Sequence, residues 1–158
     1  MPKVYESCVL DTPIVTPCIN SNTEFITEIQ ITIPKETKGV NRFNSKVMIN
    51  AVNEIKEYFD KNRKTFTIPI KLNTPLNLKS IVDQILIVKY GQTSSYSNIA
   101  RITGNHKASR LVGLACSKNP ILIVVPCHRI ISKNKGIGGY TEGIKKKIYL
   151  LLNEKSPN

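Results

Sequence analysis

The apolar run Ile121-Leu122-Ile123-Val124-Val125 stops at Pro126 and leads straight into Cys127-His128-Arg129, with Ile130-Ile131 behind it. Such a run reads as a buried strand or extended segment. Pro126 biases Val125 towards an extended conformation and ends the run. Cys127 is therefore placed where a buried segment stops, beside His128 and Arg129. A thiol reacts as a nucleophile in its thiolate form, which positive neighbours or a general base favour. Adjacent side chains on a strand point apart, so the sequence does not by itself join Cys127 to His128. A buried cysteine acting as a small hydrophobe is the competing reading.

Around this run the pattern is that of an α/β N-terminal lobe followed by a mostly helical second half. Glu28 to Pro34 alternates polar and apolar residues and reads as a half-buried strand. Val4 to Ile19 is expected to form earlier strands, broken at Pro13 and Pro17. Ser45 is a plausible N-cap for a helix carrying Met48, Val52, Ile55 and Phe59 on one face. Thr67 to Ile70 reads as a short extended piece, and Asn73-Thr74-Pro75 as a hinge, giving domains 1–72 and 73–158. Beyond it, helices are expected from Asn77 or Ser80 to Val88, from Ser95 to Ile102, from Lys107 to Ser117 and from about Ile144 to Asn153. The two short middle helices, joined through Gly104-Asn105, resemble a helix-turn-helix.

Charge sharpens the division. Residues 1–77 carry ten basic and eight acidic residues, whereas residues 78–158 carry thirteen basic residues against only Asp83, Glu142 and Glu154. A positive field confined to one half points to a polyanionic partner, most simply nucleic acid. The hydrophobic content of 41% suits a packed interior. No leader-like or membrane-length apolar segment is present, so the expectation is a soluble, cytoplasmic protein, nucleoid-associated if the source is prokaryotic. The four cysteines, at 8, 18, 116 and 127, fit no CxxC pattern and are expected to be mostly free thiols. Whether Cys8 and Cys18 pair or help bind a metal stays open, and no metal site is assigned.

Pro126-Cys127-His128-Arg129 with its apolar flanks resembles the active-site signature of the O6-alkylguanine-DNA alkyltransferase family. Lys89 to Ala100 resembles that family's entry into its helix-turn-helix, and Ser109-Arg110-Leu111-Val112-Gly113 the start of its recognition helix. Ser117-Lys118-Asn119-Pro120 precedes the cysteine, and Gly136-Ile137-Gly138-Gly139-Tyr140 follows it, at the family's spacing. The likeness spans roughly Leu72 to Glu154. It implies a small antiparallel sheet plus helix in the first lobe and a C-terminal winged helix-turn-helix domain.

It also implies roles. Cys127 would be the alkyl acceptor, His128 the base taking its proton directly or through a water, and Glu154 the carboxylate orienting His128. Tyr96 would assist the leaving guanine, and Asn119 would brace the active-site segment. Arg110 would fill the stack vacated by the turned-out base, with Lys107, Ser109, Gly113, Tyr96 and Arg129 also towards DNA. Val125, Pro126, Gly138, Gly139 and Tyr140 would wall the base pocket. The partner implied is double-stranded DNA carrying O6-alkylguanine, or O4-alkylthymine as a further substrate, met by a monomer needing no cofactor. The chain departs from the family's usual pattern in lacking Trp, with Ile87 or a neighbour in its place, which should affect core packing. Ser109 stands for a commoner Ala. Cys116 on the recognition helix is either a packed thiol or a second reactive site. A non-catalytic lesion binder and an unrelated Cys-His hydrolase are the alternatives.

Overall fold

Residues 5–12, 14–32, 43–134 and 136–155 are described in the structure, a computed structural model. The chain divides into two compact units, Met1–Leu72 with Pro120–Leu122, and Asn73–Asn119 with Ile123–Asn158.

In the first unit β1 (Glu6–Val9), β2 (Thr16–Ser21) and β3 (Ile26–Thr32) form an antiparallel sheet in the order β1-β2-β3. Alternation along β3 buries Ile29 and Ile31, as the period of a half-covered strand requires. The expected strand end at Pro34 and the expected break at Pro13 lie outside the described residues. Pro17 does not break a strand; it lies inside β2, opposite Ile31. The sheet tolerates it because only its carbonyl is called upon, accepting the Leu10 N–H at 2.8 Å just past the end of β1. The register also settles the two N-terminal cysteines. Cys8 stands opposite Ile19 and Val9 opposite Cys18, so Cys8 and Cys18 project from opposite faces and are free thiols.

The helix α1 (Lys46–Phe59) starts where Ser45 Oγ accepts the Met48 N–H at 3.2 Å, and it buries Met48, Ala51, Val52, Ile55 and Tyr58. Ile70 bridges Ile26, as an extended residue should. The segment Pro120–Leu122 adds to this unit: the Ile29 N–H donates to Pro120 O at 2.9 Å, and the Leu122 N–H to Ile29 O at 3.0 Å.

That ladder is all the strand there is in the apolar run before the cysteine. The chain turns at Leu122 to Val124, with Ile123 buried at φ 73°. Left-handed backbone costs a β-branched residue roughly 1–2 kcal/mol. Burial pattern alone cannot separate a strand from a buried turn, which is why the expected extended segment fails here.

The second unit holds α2 (Leu76–Leu86), β4 (Ser94–Ser95), α3 (Tyr96–Ile102), α4 (Ser109–Ser117), a single turn of 3-10 helix at Cys127–Arg129, β5 (Ile130–Ile131) and α5 (Ile144–Lys155). α2 ends before the expected Val88, and α4 starts after the expected Lys107. Ser95 caps α3, its Oγ accepting the Asn98 N–H at 3.0 Å. α3 and α4 pack on each other and on α2 around Ile81, Val82, Ile85, Ile99, Ala100, Val112 and Ala115. Ile87 does not replace a core aromatic: it is 68% exposed at the end of α2, so the lack of Trp is not made good at that position. β4 and β5 pair in parallel, Ser94 with Ile130 and Ser95 with Ile131. This short ladder fixes the residues after Cys127 beside the start of the helix that carries Tyr96.

Candidate active site

Cys127 opens the 3-10 turn, its sidechain buried at 2% exposure. The turn removes the objection that neighbours on a strand point apart, since these residues are not on a strand. Asn119, two residues past α4, donates from Nδ2 to Val125 O at 2.9 Å and to Cys127 Sγ at 3.1 Å. One side-chain amide thus holds both the backbone before the cysteine and the sulfur itself. Burial pushes the Cys127 thiol above its ordinary pKa; the Asn119 bond and the nearby Lys147 charge oppose that rise.

Behind the cysteine lies a buried charge network. His128 Nε2 is 2.7 Å from Glu154 Oε1, and both side chains are almost fully enclosed. Arg129 binds the same carboxylate, Nε to Oε2 at 3.0 Å and Nη2 to Oε1 at 3.0 Å, while its Nη1 donates to Val88 O at 2.6 Å. The Gly91 N–H adds a further donor to Glu154 Oε2 at 3.1 Å. Burial raises the Glu154 pKa, but the bonds from His128 and Arg129 outweigh it and bring the carboxyl down to about 2. Burial lowers the His128 pKa, against the pull of Glu154. The imidazole is then neutral at neutral pH, with Nε2–H donating to Glu154 and the lone pair on Nδ1. Nδ1 is buried with no hydrogen-bond partner among the described residues. Arg129 was expected to face DNA; instead it is 5% exposed and committed to Glu154, because a buried carboxylate needs its countercharge.

In front of the cysteine is a cavity of about 450 Å³ lined by Tyr96, Gly113, Cys116, Ser117, Cys127, Gly139, Tyr140 and Thr141. That volume falls in the range of small-molecule pockets, roughly 300–1,000 Å³. Of the expected walls, Gly139 and Tyr140 line it; Val125 and Pro126 are buried beneath, and Gly138 acts from behind Tyr96. Gly138 has φ 76°, and a Cβ there would lie 2.9 Å from Tyr96 Cε2. Glycine is thus required both by its backbone and by the ring against it. Burial raises the Tyr96 hydroxyl to about 12, so it keeps its proton. Tyr140 is held well above its ordinary value, chiefly by burial, and its hydroxyl is buried without a partner among the described residues.

Lys147 was not anticipated. It is fully buried, donating from Nζ to Ile130 O at 2.6 Å and Gly139 O at 3.0 Å, with the charge 5.6 Å from the Tyr96 ring centroid. It ties the strand after the cysteine to the glycine loop and to the pocket's aromatic wall. Lys147, Leu150 and Glu154 share one face of α5, a spacing that could have flagged it. Cys116 and Ser117 on α4 and Thr141 were also unforeseen as pocket walls. Lys107 and Arg110 are exposed, and Ser109 is half-buried at the start of α4.

A buried thiol gripped by an amide, beside a Glu-His pair and facing an aromatic pocket, is an arrangement suited to the class of proteins that use a cysteine as nucleophile. The sequence comparisons give that class a family. Residues 78–156 match the model for the 6-O-methylguanine DNA methyltransferase DNA-binding domain, and the chain belongs to this family. It is 44% identical over 108 residues to a probable methylated-DNA--protein-cysteine methyltransferase of Acanthamoeba polyphaga mimivirus, covering 67% of this chain and 71% of the relative. It is 41% identical over 102 residues to the inducible methylated-DNA--protein-cysteine methyltransferase of Bacillus subtilis, covering 65% of this chain and 57% of that one. A Mycobacterium tuberculosis OGT solved in complex with DNA superposes with a TM-score of 0.81 at 30% identity, over 96% of this chain and 92% of that one.

Proposed function

We propose that the protein repairs DNA by moving a methyl or larger alkyl group from O6 of guanine to Cys127, once per molecule. The thiolate attacks the alkyl carbon in line; the S–C bond forms, the O6–C bond breaks, and guanine leaves with the electron pair. The thioether has no route back to thiol in this site, so each molecule acts once. The observation that carries the reading is the single amide of Asn119 on Cys127 Sγ at the wall of the pocket, with the buried His128–Glu154 pair behind it.

His128 takes the thiol proton on Nδ1 across an intervening water, with Glu154 fixing the tautomer. A buried ring nitrogen lacking a partner among the described residues supports this, since such atoms are ordinarily hydrogen-bonded. Tyr96, still protonated, donates to the departing base. Gly139 and Tyr140 receive the flat ring, with Val125, Pro126 and Gly138 supporting the walls. α3 and α4 act as the helix-turn-helix of a winged C-terminal domain, residues 73–158, and residues 1–72 form an N-terminal lobe. Arg110 enters the space left by the flipped nucleotide, while Lys107, Ser109 and Gly113 meet the backbone. The protein works as a cytoplasmic monomer, and O4-alkylthymine is a further substrate. Among the described residues no helix is long and apolar enough to cross a membrane.

The test is intact mass after incubation with O6-methylguanine duplex DNA, followed by peptide mapping. One methyl on Cys127, saturating at one per protein and lost in Cys127→Ala, is the expected result. Tight binding without mass change would mean a lesion binder; unchanged mass with neither binding nor transfer would reopen the hydrolase reading.

A further inference from the structure

The alkyl pocket contains a second sulfur. Cys116, in the last turn of α4, lines the same cavity of about 450 Å³ as Cys127. Asn119 touches both residues: its N–H donates to Cys116 O at 3.3 Å, and its side chain donates to Cys127 Sγ at 3.1 Å. Each of the two elements carrying a thiol is therefore tied to the same asparagine. Burial, with the neighbouring Cys127 adding to it, raises the Cys116 thiol to about 12. With its thiol pushed so high, Cys116 is a poor alkyl acceptor by its own ionisation, so its presence calls for a use that needs only a neighbouring, more reactive sulfur.

We propose that Cys116 and Cys127 are a redox-convertible pair, which a peroxide closes into a disulfide that shuts the alkyl pocket and a small thiol reopens. The Cys127 thiolate attacks one peroxide oxygen; an S–O bond forms, the O–O bond breaks, and hydroxide leaves to yield the sulfenic acid. The Cys116 sulfur then attacks the Cys127 sulfur. The S–S bond forms, the S–O bond breaks, and the departing hydroxide takes the Cys116 proton as water. In total, two thiols and one hydrogen peroxide give one disulfide and two waters. With no resolving thiol, the sulfenic acid would go on to sulfinic acid and the protein would be lost. Cys116 thus protects an acceptor that is spent only once. Its identity as acceptor rests on the function proposed above, whereas formation of the cross-link does not depend on it.

The full-length protein is treated with hydrogen peroxide at graded pH, quenched, and measured by intact mass and non-reducing peptide mapping. Expected are the loss of two hydrogen atoms, one peptide pair joining Cys116 to Cys127, and a rate that rises with pH as thiolate forms. Methyl transfer should fall at least about tenfold and return after dithiothreitol. In Cys116→Ser, activity normalised to its own untreated value should fall without recovery, with oxygen added on Cys127. Oxygen added to wild-type Cys127 without a cross-link, a cross-link to another cysteine, or equal recovery in Cys116→Ser would overturn the proposal. A cross-link in a protein that never transfers methyl would preserve the redox pair and sink the repair reading instead.

Discussion

Glu6 in the first unit and Glu154 in the second are both buried carboxylates, and both are held below the ordinary carboxylate range by hydrogen bonds that outweigh burial. Their partners differ in kind. Glu6 accepts the backbone N–H groups of Asn44 and Ser45, each at 2.9 Å, and the hydroxyls of Ser45 and Ser21. It braces the start of α1 against β1 and β2, where free N–H groups and the positive end of the helix favour an anion. Glu154 accepts one backbone N–H, from Gly91, but its other donors are His128 and Arg129, groups that titrate or carry charge. The same chemistry builds a joint in one unit and orients a proton acceptor in the other. A buried carboxylate is therefore not a functional signal until its partners are known.

Removing each charge breaks the comparison most directly. Glu154→Gln leaves Arg129 without a countercharge and His128 without a fixed tautomer. The single-turnover transfer rate should fall on the order of a hundredfold, within the range of general-base effects. Glu6→Gln should leave that rate within about twofold while lowering the melting temperature, since a buried hydrogen-bonded charge is worth a few kcal/mol when its partners are left unmatched. Rapid-quench kinetics and thermal melts on both variants decide it; equal rate losses would erase the distinction.

Acid tests the Glu154 network, acting in the same direction as on Glu6, whose carboxyl is also held low. The Glu154 pKa is about 2 in the folded chain against 4.5 as its reference value, so its stabilisation is fully present above about 4.5 and disappears as pH falls towards about 2. The size is on the order of 3 kcal/mol. His128 has the same sign: its lowered pKa means acid must charge a buried imidazole. Melting temperature should drop across this window in wild type, and more shallowly in Glu154→Gln. Identical slopes would show that the network around Glu154 contributes nothing to the acid response.

The parts of this design that the sequence discloses are those written locally. β3 shows in its alternation, and α1 in Ser45 and the apolar face behind it, because each is set by neighbours in the chain. The β4–β5 ladder is only two residues per strand and joins Ser94 to Ile130 across most of the second unit, so no local pattern marks it. The apolar run before Cys127 is read as extended because apolarity reports burial, whereas Ile123 is a buried turn residue at φ 73°. Cys127, Asn119 and Glu154 are legible through family resemblance; spacing alone brings none of them together. Arg129 is misread because a basic residue in a basic half suggests a surface role, and only the folded position of Glu154 turns it inward. Lys147 hides in the run Lys145-Lys146-Lys147, where helix phase alone decides which lysine is buried.

Two glycines of the loop after the cysteine sharpen the contrast between strain and contact. Gly136 and Gly138 have φ 78° and 76°, but a Cβ on Gly136 meets nothing within 4 Å, while one on Gly138 meets the Tyr96 ring at 2.9 Å. Gly136→Ala should cost only backbone strain, about 1 kcal/mol, with transfer little changed. Gly138→Ala carries the same strain and must also displace Tyr96, so transfer should fall by about tenfold, the equivalent of roughly 1.4 kcal/mol. Similar rates for the two variants would remove Tyr96 position as the reason for Gly138.

The smallest effect lies at the ends of two helices. α1 is followed by Lys61 at φ 62°, and α3 by Gly104 at φ 84°, each one residue past the C-cap. The left-handed conformation at this position costs a residue with a Cβ, and glycine avoids the cost. The end of α1 bears the penalty and the end of α3 does not. Lys61→Gly should raise stability by up to about 1 kcal/mol, reduced by the extra freedom glycine gives the unfolded chain. Gly104→Ala should lower it by a similar amount, since no atom lies within 4 Å of the added Cβ and only the backbone is strained. Chemical denaturation of both variants reads the difference directly. Changes of opposite sign would show that local backbone conformation sets stability at both helix ends, and changes of the same sign would mean that neighbouring contacts override it.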